Sequence, residues 1–219
     1  MAAATLYAHP FSSYCQKTII ALRERGYAFE LRMVDFGDAA SVGEFAALWP
    51  IRRMPALVED GRMLVESSII IEHVDLARPG ARLIPADPRA ALETRLLDRI
   101  FDNYVMTPVQ KIVVDRIRAP DRRDAQGVAE AHALLATTYR WLEARLGGRT
   151  WAAGAAFSLA DCAAAPSLFY ADWVDPIDPA LTGLCAYRAR LLAHPTIARV
   201  IDEARPYRHL FPGGAPDRD

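Results

Sequence analysis

The sequence is poor in the features that would set it apart from ordinary globular proteins. Only three of its 219 residues are cysteines (Cys15, Cys162 and Cys185), which excludes a fold held together by a set of disulfides. An odd number of cysteines is also typical of a reducing compartment, so we expect a cytoplasmic protein. The first residues contain no basic segment followed by an apolar run, and the sequence therefore predicts no signal peptide.

Long apolar runs and an excess of either charge are missing as well. No stretch approaches the ~18 consecutive apolar residues that a membrane-spanning helix needs. Lys and Arg total 26 and Asp and Glu total 27, which gives a formal net charge of −1. Because nucleic-acid backbones and anionic membranes attract basic surfaces, this balance predicts neither a nucleic-acid partner nor a membrane partner.

The motifs of metal and nucleotide sites are absent from the sequence. The five histidines form no His-x-x-x-His pair and show no ligand spacing with the cysteines, so we predict no metal site. The chain also contains neither a Gly-x-Gly-x-x-Gly motif nor a phosphate-binding loop.

Two kinds of hydrophobic pattern divide the chain. In the first 80 residues, short apolar runs alternate with helical patterns in the order β-α-β-α-β-β-α, which indicates a small mixed sheet with helices on its faces. Gly26 is predicted to end the first helix, and Asp60-Gly61 predicts a tight hairpin turn. Only helical patterns follow a segment rich in Pro and Gly. The sequence thus predicts an α/β domain over residues 1–80, a linker over 81–88 and an all-helical domain over 89–219.

The first motif that carries chemistry is Phe11-Ser12-Ser13-Tyr14-Cys15, where strand one leads into helix one. Free backbone N–H groups at a helix N-terminus stabilise an anion, so a hydroxyl or thiol there is well placed to hold or to become a thiolate. Ser12-x-x-Cys15 has the spacing of a redox Cys-x-x-Cys motif with serine at the first position. The alternative is that Ser12 or Ser13 only caps the helix.

Two further motifs follow in the same domain. In Arg53-Met54-Pro55-Ala56 the proline precedes a strand, and a cis Met54–Pro55 bond would expose the Met54 backbone to an extended peptide. Val65-Glu66-Ser67-Ser68 begins the third helix, where hydroxyl and N–H groups suit a carboxylate. Taken alone, this motif is better explained as a helix cap.

Together these three motifs resemble the N-terminal domain of a cytosolic glutathione transferase. Phe157-Ser158-Leu159-Ala160-Asp161 also resembles the Ser/Thr-x-x-Asp box that begins the central helix of that family's second domain. Ser158 and Asp161 can cap this helix reciprocally. The resemblance covers essentially the whole chain and implies a thioredoxin-like N-terminal domain, an all-helical C-terminal domain and a homodimer.

The resemblance also implies that glutathione binds in extended form beside the proline. Met54 would pair through its backbone with the cysteinyl unit, and Glu66 with Ser67 would hold the γ-glutamyl end. Arg53, or its neighbour Arg52, falls where a basic residue meets the glycyl carboxylate. The family needs no metal for this chemistry, and glutathione is the only co-substrate it implies.

Ser12 matches the hydroxyl that steadies the glutathione sulfur in serine-type members of the family. Three other residues stay open for this role: Ser13, Tyr7 at the end of strand one, and Cys15. Cys15 is also a candidate redox thiol, although the absence of a first cysteine weakens a thiol-transferase function. Cys162 and Cys185 lie on apolar helical faces and are expected in the core.

The second substrate is expected to bind between the two domains. Candidates for the wall of this electrophile pocket are Phe11 and Tyr14 from the first domain, and Tyr104 and Thr107 from the second. The leading hypothesis is a transferase that adds the glutathione thiolate to a small hydrophobic electrophile. The alternatives are a glutathione-dependent isomerase or reductase, or a non-catalytic binding or interaction module.

Overall fold

The computed structural model describes residues 4–219, and its first part is built on a four-stranded sheet. The strands are β1 (Ala4–Ala8), β2 (Phe29–Met33), β3 (Ala56–Glu59) and β4 (Arg62–Val65). They lie in the order β2-β1-β3-β4, with β1 parallel to β2 and antiparallel to β3. The helices of this part are α1 (Ser13–Glu24), α2 (Ala39–Leu48) and α3 (Ser67–Ala77). This is the element order that the hydrophobic patterns predict.

Two predicted turns are confirmed by their backbone angles. Asp60 and Gly61 have φ values of 49° and 75°, so the β3–β4 hairpin closes on a turn in which both central residues have positive φ. Such a turn matches the right-handed twist of the paired strands. Gly26 has a φ of 57° directly after α1, where a left-handed residue ends the helix.

The second part is helical. Its helices are α4 (Pro88–Ile100), α5 (Thr107–Arg116), α6 (Ala125–Leu146), α7 (Leu159–Val174), α8 (Thr182–Ala193) and α9 (Pro195–Ala204). The segment Phe101–Met106, between α4 and α5, is π-helical. Since a π-helical turn is wider than an α-helical one, it changes which side chains face a neighbouring cavity. Among the described residues, no helix is long and apolar enough to cross a membrane.

Helix α7 is the centre of the core, and it is buried along its whole length. Its many alanines let neighbouring helices approach closely. The predicted cap is present: the Ser158 backbone N–H donates to Asp161 Oδ2 at 2.9 Å, and the Ser158 hydroxyl donates to the same oxygen at 2.8 Å. Tyr187 of α8 donates to Asp161 Oδ1 at 2.7 Å, so the cap also ties α7 to α8.

The segment between α3 and α4 is irregular but packed. Leu83 and Ile84 are buried, and their backbone N–H groups donate to the Asp75 carboxylate at 2.8 and 3.1 Å. The Leu159 N–H donates to the Leu83 carbonyl at 3.0 Å. This segment therefore fastens α3 to the start of α7.

One expectation about packing is only partly correct. Cys162 is buried as expected, whereas Cys185 is only partly buried. The reason is that helical spacing identifies an apolar face but not what covers it.

Candidate active site

A cavity of about 500 Å³ opens where the N-terminal ends of α1 and α3 face α4 and the π-helical segment. The three motifs singled out in the sequence meet there, although they are far apart along the chain. The residues they contribute are Ser12, Tyr14, Arg53, Met54, Glu66 and Ser67, with Pro55 and Arg52 beside them. We call this space the polar cavity.

Ser12 is the residue before α1, and its backbone is extended (φ −88°, ψ 127°). Its own N–H donates to the His9 carbonyl at 3.0 Å, which forms a tight turn between β1 and α1. The Ser12 side chain makes no capping hydrogen bond to the helix backbone. The hydroxyl is therefore not consumed by the capping role that was the alternative for this residue.

The other candidates for the sulfur-binding role lie elsewhere. Ser13 is buried and does not line the polar cavity. The Tyr7 hydroxyl donates to Glu44 at 3.3 Å, towards α2, and burial raises its pKa. Of the four, Ser12 is the one that reaches the cavity.

Cys15 lies one turn into α1 with no exposed surface. Burial raises the pKa of its thiol to about 11, which opposes formation of a thiolate. The structure thus does not support Cys15 as a redox thiol. The buried position matches the alternative, a small residue packed in the core.

The second motif contributes an unusual stretch of backbone. The Met54–Pro55 peptide bond is cis, as the interpretation of this motif requires, and Pro55 directly precedes β3. Arg52 has a φ of 53°, in the left-handed region that non-glycine residues seldom adopt. Residues in such conformations concentrate at functional sites. Arg52 and Arg53 both line the polar cavity and bring two positive charges to it.

The third motif shows the same feature at the start of α3. Glu66 has a φ of 70°, and its carbonyl accepts the Ile70 N–H at 2.9 Å as the helix begins. Glu66 and the buried Ser67 both line the polar cavity. The arrangement offers one carboxylate, one hydroxyl and the free N–H groups of a helix N-terminus.

A cluster of charges at the wall of the polar cavity was not predicted from the sequence: Arg99 and Asp102 line the cavity, whereas Lys17 and Asp98 do not. Lys17 of α1 is 1% exposed, and its Nζ lies 2.6 Å from Asp98 Oδ1 and 2.7 Å from Asp102 Oδ2. Arg99 contacts the same two carboxylates at 2.7 and 2.5 Å. The Lys17 Nζ also donates to Ser68 Oγ at 2.9 Å.

This charge cluster joins α1, α3, α4 and the π-helical segment. Its two cations and two anions balance, so each carboxylate contacts a charge of opposite sign. Burial raises the pKa of Asp102, with the nearby Asp98 acting in the same direction and Lys17 and Arg99 acting against it. The one sequence signal was a lysine on the buried side of an apolar helix, with two aspartates four residues apart on another.

The four residues predicted to wall the electrophile pocket do not line one cavity. Tyr14 lines the polar cavity, and burial raises the pKa of its hydroxyl to about 12. Tyr104 is 47% exposed and lines neither this cavity nor the next one. Thr107 lines a separate groove beside α6 and donates to the Asp102 carbonyl at 3.0 Å.

Phe11 lines a second cavity of about 230 Å³, which we call the apolar cavity. It shares Ser12, Phe36 and Met54 with the polar cavity, so the two meet at these residues. The other residues that line it are His9, Asp35, Gly37 and Leu210. Leu210 comes from the C-terminal segment, far from the rest in sequence.

The chain was compared with known protein families, proteins and solved structures. Residues 6–82 match the glutathione S-transferase N-terminal domain, and residues 125–206 match the glutathione S-transferase C-terminal domain. Glutathione S-transferase 3 of Zea mays is 32% identical over 168 residues, which cover 74% of this chain and 75% of the maize protein. The chain therefore belongs to the glutathione S-transferase family, whose members bind glutathione.

Two further comparisons bear on function and on fold. Maleylacetoacetate isomerase of Mus musculus is 30% identical over 112 residues. The match spans about half of each protein, 50% of this chain and 51% of the mouse protein. A crystal structure of a glutathione S-transferase from Methylobacillus flagellatus, with glutathione bound, superposes with a TM-score of 0.81. It is 23% identical, with 90% of this chain and 98% of that chain covered. The fold is thus a thioredoxin-like domain followed by a helical domain.

Proposed function

We propose that this protein is a glutathione transferase that adds the glutathione thiolate to small hydrophobic electrophiles. The observation that carries the proposal is the meeting of the polar and apolar cavities at Ser12. One cavity has the charges to hold a tripeptide with two carboxylates and an ammonium group. The other has the apolar surface to hold a second substrate next to the sulfur.

In this proposal glutathione lies along the polar cavity. Arg53, with Arg52 beside it, binds the glycyl carboxylate, and the Met54 backbone pairs with the cysteinyl unit. Glu66 and Ser67 hold the γ-glutamyl end at the α3 N-terminus. Pro55 donates no hydrogen bond of its own at this point, because a proline has no backbone N–H.

The Ser12 hydroxyl donates to the glutathione sulfur and remains neutral. A free thiol has a pKa of ~8.5, so only about 3% is thiolate at pH 7. Lowering the pKa to ~6.5 makes the thiolate the major form, and this change corresponds to about 2.7 kcal/mol. One charge-assisted hydrogen bond of about 1.5–3 kcal/mol, aided by the α1 N-terminus, is of the right size.

The proposal includes the organisation of the chain. Residues 1–80 form the glutathione-binding domain, 81–88 the connection and 89–219 the helical domain. The exposed apolar side chains of α3 and α4 support a homodimer: Ile69, Leu76, Leu92 and Leu96. We also propose that the protein works in the cytoplasm, where reduced glutathione is abundant and thiols stay reduced.

Turnover measurements with an electrophile test the transferase activity. Mass spectrometry of the product is expected to find one glutathione per electrophile. Ser12→Ala is expected to lower kcat/KM by about 25-fold at pH 7, since the thiolate fraction falls from about 75% to about 3%. Ser13→Ala is the matched control, because Ser13 does not line the polar cavity. Equal losses in both variants, or no conjugate at all, would refute the proposal.

The second candidate function is a glutathione-dependent isomerase, which the identity with the mouse isomerase favours. Reversible addition of the thiolate to a double bond, rotation and elimination change the geometry of that bond and regenerate glutathione. The two functions differ in the amount of free thiol that remains. An isomerase leaves it constant during turnover, whereas a transferase consumes one thiol per product.

A reductase and a non-catalytic module remain as further alternatives. A reductase oxidises glutathione to its disulfide, and the buried Cys15 thiol gives this function no second sulfur at the cavity. A non-catalytic module needs no lowered thiol pKa, so it is separated from all three enzymes by titration of bound glutathione.

A further inference from the structure

His9 is a residue of the apolar cavity to which the proposed transferase activity assigns no role. It directly follows β1 and lines the cavity together with Ser12, Phe36 and Met54. The residue is 8% exposed and therefore buried. The role of a buried imidazole depends on which of its two nitrogens carries the proton and on the hydrogen-bond partner of each.

The hydrogen bonding of His9 fixes its tautomer. The Phe11 backbone N–H donates to His9 Nδ1 at 3.1 Å, so Nδ1 is the unprotonated nitrogen and the proton resides on Nε2. Within residues 4–219 the Nε2–H has no hydrogen-bond partner. The ring of Tyr207 packs edge-on at a centroid distance of 4.8 Å and holds the imidazole in place.

The charge state of His9 is set by the same surroundings. Burial lowers its pKa below the ordinary value, and Asp35 acts in the opposite direction. The imidazole is therefore neutral at pH 7, with Nε2–H as a hydrogen-bond donor. Protonation at lower pH would add a proton on Nδ1 and remove its hydrogen bond with the Phe11 N–H.

Few other donors in the apolar cavity can serve a second substrate. The Gly37 N–H is taken by Asp35 Oδ1 at 2.8 Å, and the Asp35 carboxylate repels an anion. The Ser12 hydroxyl is used for the sulfur in the proposed function. The remaining lining side chains are apolar.

We infer that His9 Nε2–H is the hydrogen-bond donor for the carbonyl oxygen of an α,β-unsaturated carbonyl substrate, an inference that rests on the proposed transferase function. The thiolate sulfur forms a bond to the β-carbon, and the C=C π electrons move to give an enolate. The negative charge on the enolate oxygen is stabilised by the His9 donor, which keeps its proton. Water then protonates the α-carbon, and this proton replaces the one that left the thiol.

A neutral imidazole suits this role because it donates a hydrogen bond to an oxyanion without transferring a proton. The inference also predicts a substrate preference. Electrophiles whose charge develops on an oxygen benefit from His9, whereas alkyl halides, whose charge leaves as a halide ion, do not.

Two electrophiles of similar size test this inference: 4-phenyl-3-buten-2-one and benzyl chloride. Phe replaces the imidazole with an apolar ring, so His9→Phe is expected to lower kcat/KM for the ketone about 100-fold, as loss of an oxyanion donor does elsewhere. Its effect on benzyl chloride is expected to stay within about 3-fold, because no oxyanion forms. His9→Gln, which retains an N–H donor, is expected to recover most of the ketone activity.

The result that overturns the inference is an equal loss with both electrophiles, or ketone turnover that His9→Phe leaves unchanged. A wild-type protein that turns over benzyl chloride but not the ketone overturns it too. The pKa of bound glutathione separates this outcome from failure of the proposed function. An unshifted thiol in the wild type refutes both, whereas a shifted thiol with equal losses refutes the role of His9 alone.

A measurement on the wild type avoids dependence on folding of the variants. The ¹⁵N NMR signals of His9 are expected to show the Nε2–H tautomer. Binding of 4-phenylbutan-2-one, the saturated ketone, is expected to move the Nε2–H signal downfield. Signals that show the Nδ1–H tautomer, or that do not respond to the ketone, contradict the inference.

Discussion

The polar and apolar cavities share three residues but are built in different ways. The polar cavity is formed by the ends of helices, by left-handed residues at Arg52 and Glu66, and by the charge cluster, whose Arg99 and Asp102 line it. The apolar cavity is formed by side chains on connecting segments and by Leu210 of the C-terminal segment. The difference shows that the polar cavity is shaped by backbone conformation and charge, whereas the apolar cavity is shaped by single side chains that can be substituted one at a time.

The charge cluster is the part of the polar cavity where one substitution is expected to have the largest effect on stability. Lys17→Met leaves Asp98 and Asp102 buried beside one cation, so we expect a loss of about 3–5 kcal/mol in the free energy of unfolding. Lys111→Met is the matched control. Lys111 is 44% exposed and pairs with Asp124 at 3.4 Å, so its loss is expected to cost less than about 1 kcal/mol. Denaturant unfolding measures both values.

The pH dependence of Lys17→Met sharpens this prediction. Burial raises the pKa of Asp102, and removal of Lys17 takes away a charge that opposes this rise. A carboxyl whose pKa is higher in the folded than in the unfolded state contributes stability at low pH that is lost as the pH rises. The destabilisation is thus expected to be smaller near pH 4 than at pH 7, as Asp approaches its ordinary pKa of about 3.9. A constant difference across this range contradicts the account of the cluster.

Substitution of Glu66 tests the charged wall of the polar cavity. Glu66→Gln keeps the size of the side chain and removes its charge, so glutathione affinity is expected to fall. Loss of a hydrogen bond to a charged group costs about 1.5–3 kcal/mol, which corresponds to a 10- to 100-fold higher Kd. Glu72→Gln is the control on the same helix, because Glu72 pairs with Arg95 outside the cavity. If Glu72→Gln weakens glutathione binding as much as Glu66→Gln does, Glu66 has no special role.

A substitution in the apolar cavity is expected to have a smaller and more selective effect. Leu210 is 52% exposed, and its truncation in Leu210→Ala removes about 1 kcal/mol of apolar contact with the second substrate. The KM for a hydrophobic electrophile is expected to rise about 5-fold, with the KM for glutathione unchanged. Leu134→Ala on α6 serves as the control, because Leu134 is 38% exposed and lines neither cavity. A higher KM for glutathione would show that the two cavities are not independent.

The smallest effect is expected at Cys15. Since its thiol is buried with a pKa of about 11, Cys15→Ala is expected to leave the pKa of bound glutathione unchanged. In the wild type, iodoacetamide is expected to modify the partly exposed Cys185 before Cys15. Mass spectrometry of the labelled peptides gives the order. Rapid labelling of Cys15, or loss of the lowered pKa of bound glutathione in Cys15→Ala, would show that Cys15 takes part in the site.

Local sequence signals predicted several turns and helix ends correctly. The hairpin at Asp60-Gly61, the end of α1 at Gly26 and the cap at Ser158 each depend on residues that are neighbours in the chain. The fold class followed from the order of these elements. The cis bond before Pro55 could be inferred only from its place beside the other two motifs.

The parts that sequence reasoning missed depend on contacts between distant segments. Nothing near Lys17 indicates that two aspartates on α4 and the π-helical segment will neutralise it. Tyr104 and Thr107 were predicted at the electrophile pocket, but Tyr104 lies in the π-helical segment and Thr107 lines a separate groove beside α6. His9 and Leu210 lie 201 positions apart, so their shared cavity leaves no trace in either local sequence.

The most direct test of the central claim is a titration of bound glutathione by the ultraviolet absorbance of its thiolate. We expect a pKa of about 6.5 in the wild type and in Ser13→Ala, and a return towards ~8.5 in Ser12→Ala. That result would identify the Ser12 hydroxyl, at the junction of the two cavities, as the group that steadies the sulfur. An unshifted thiol in the wild type, or a shift that survives Ser12→Ala, would contradict the account.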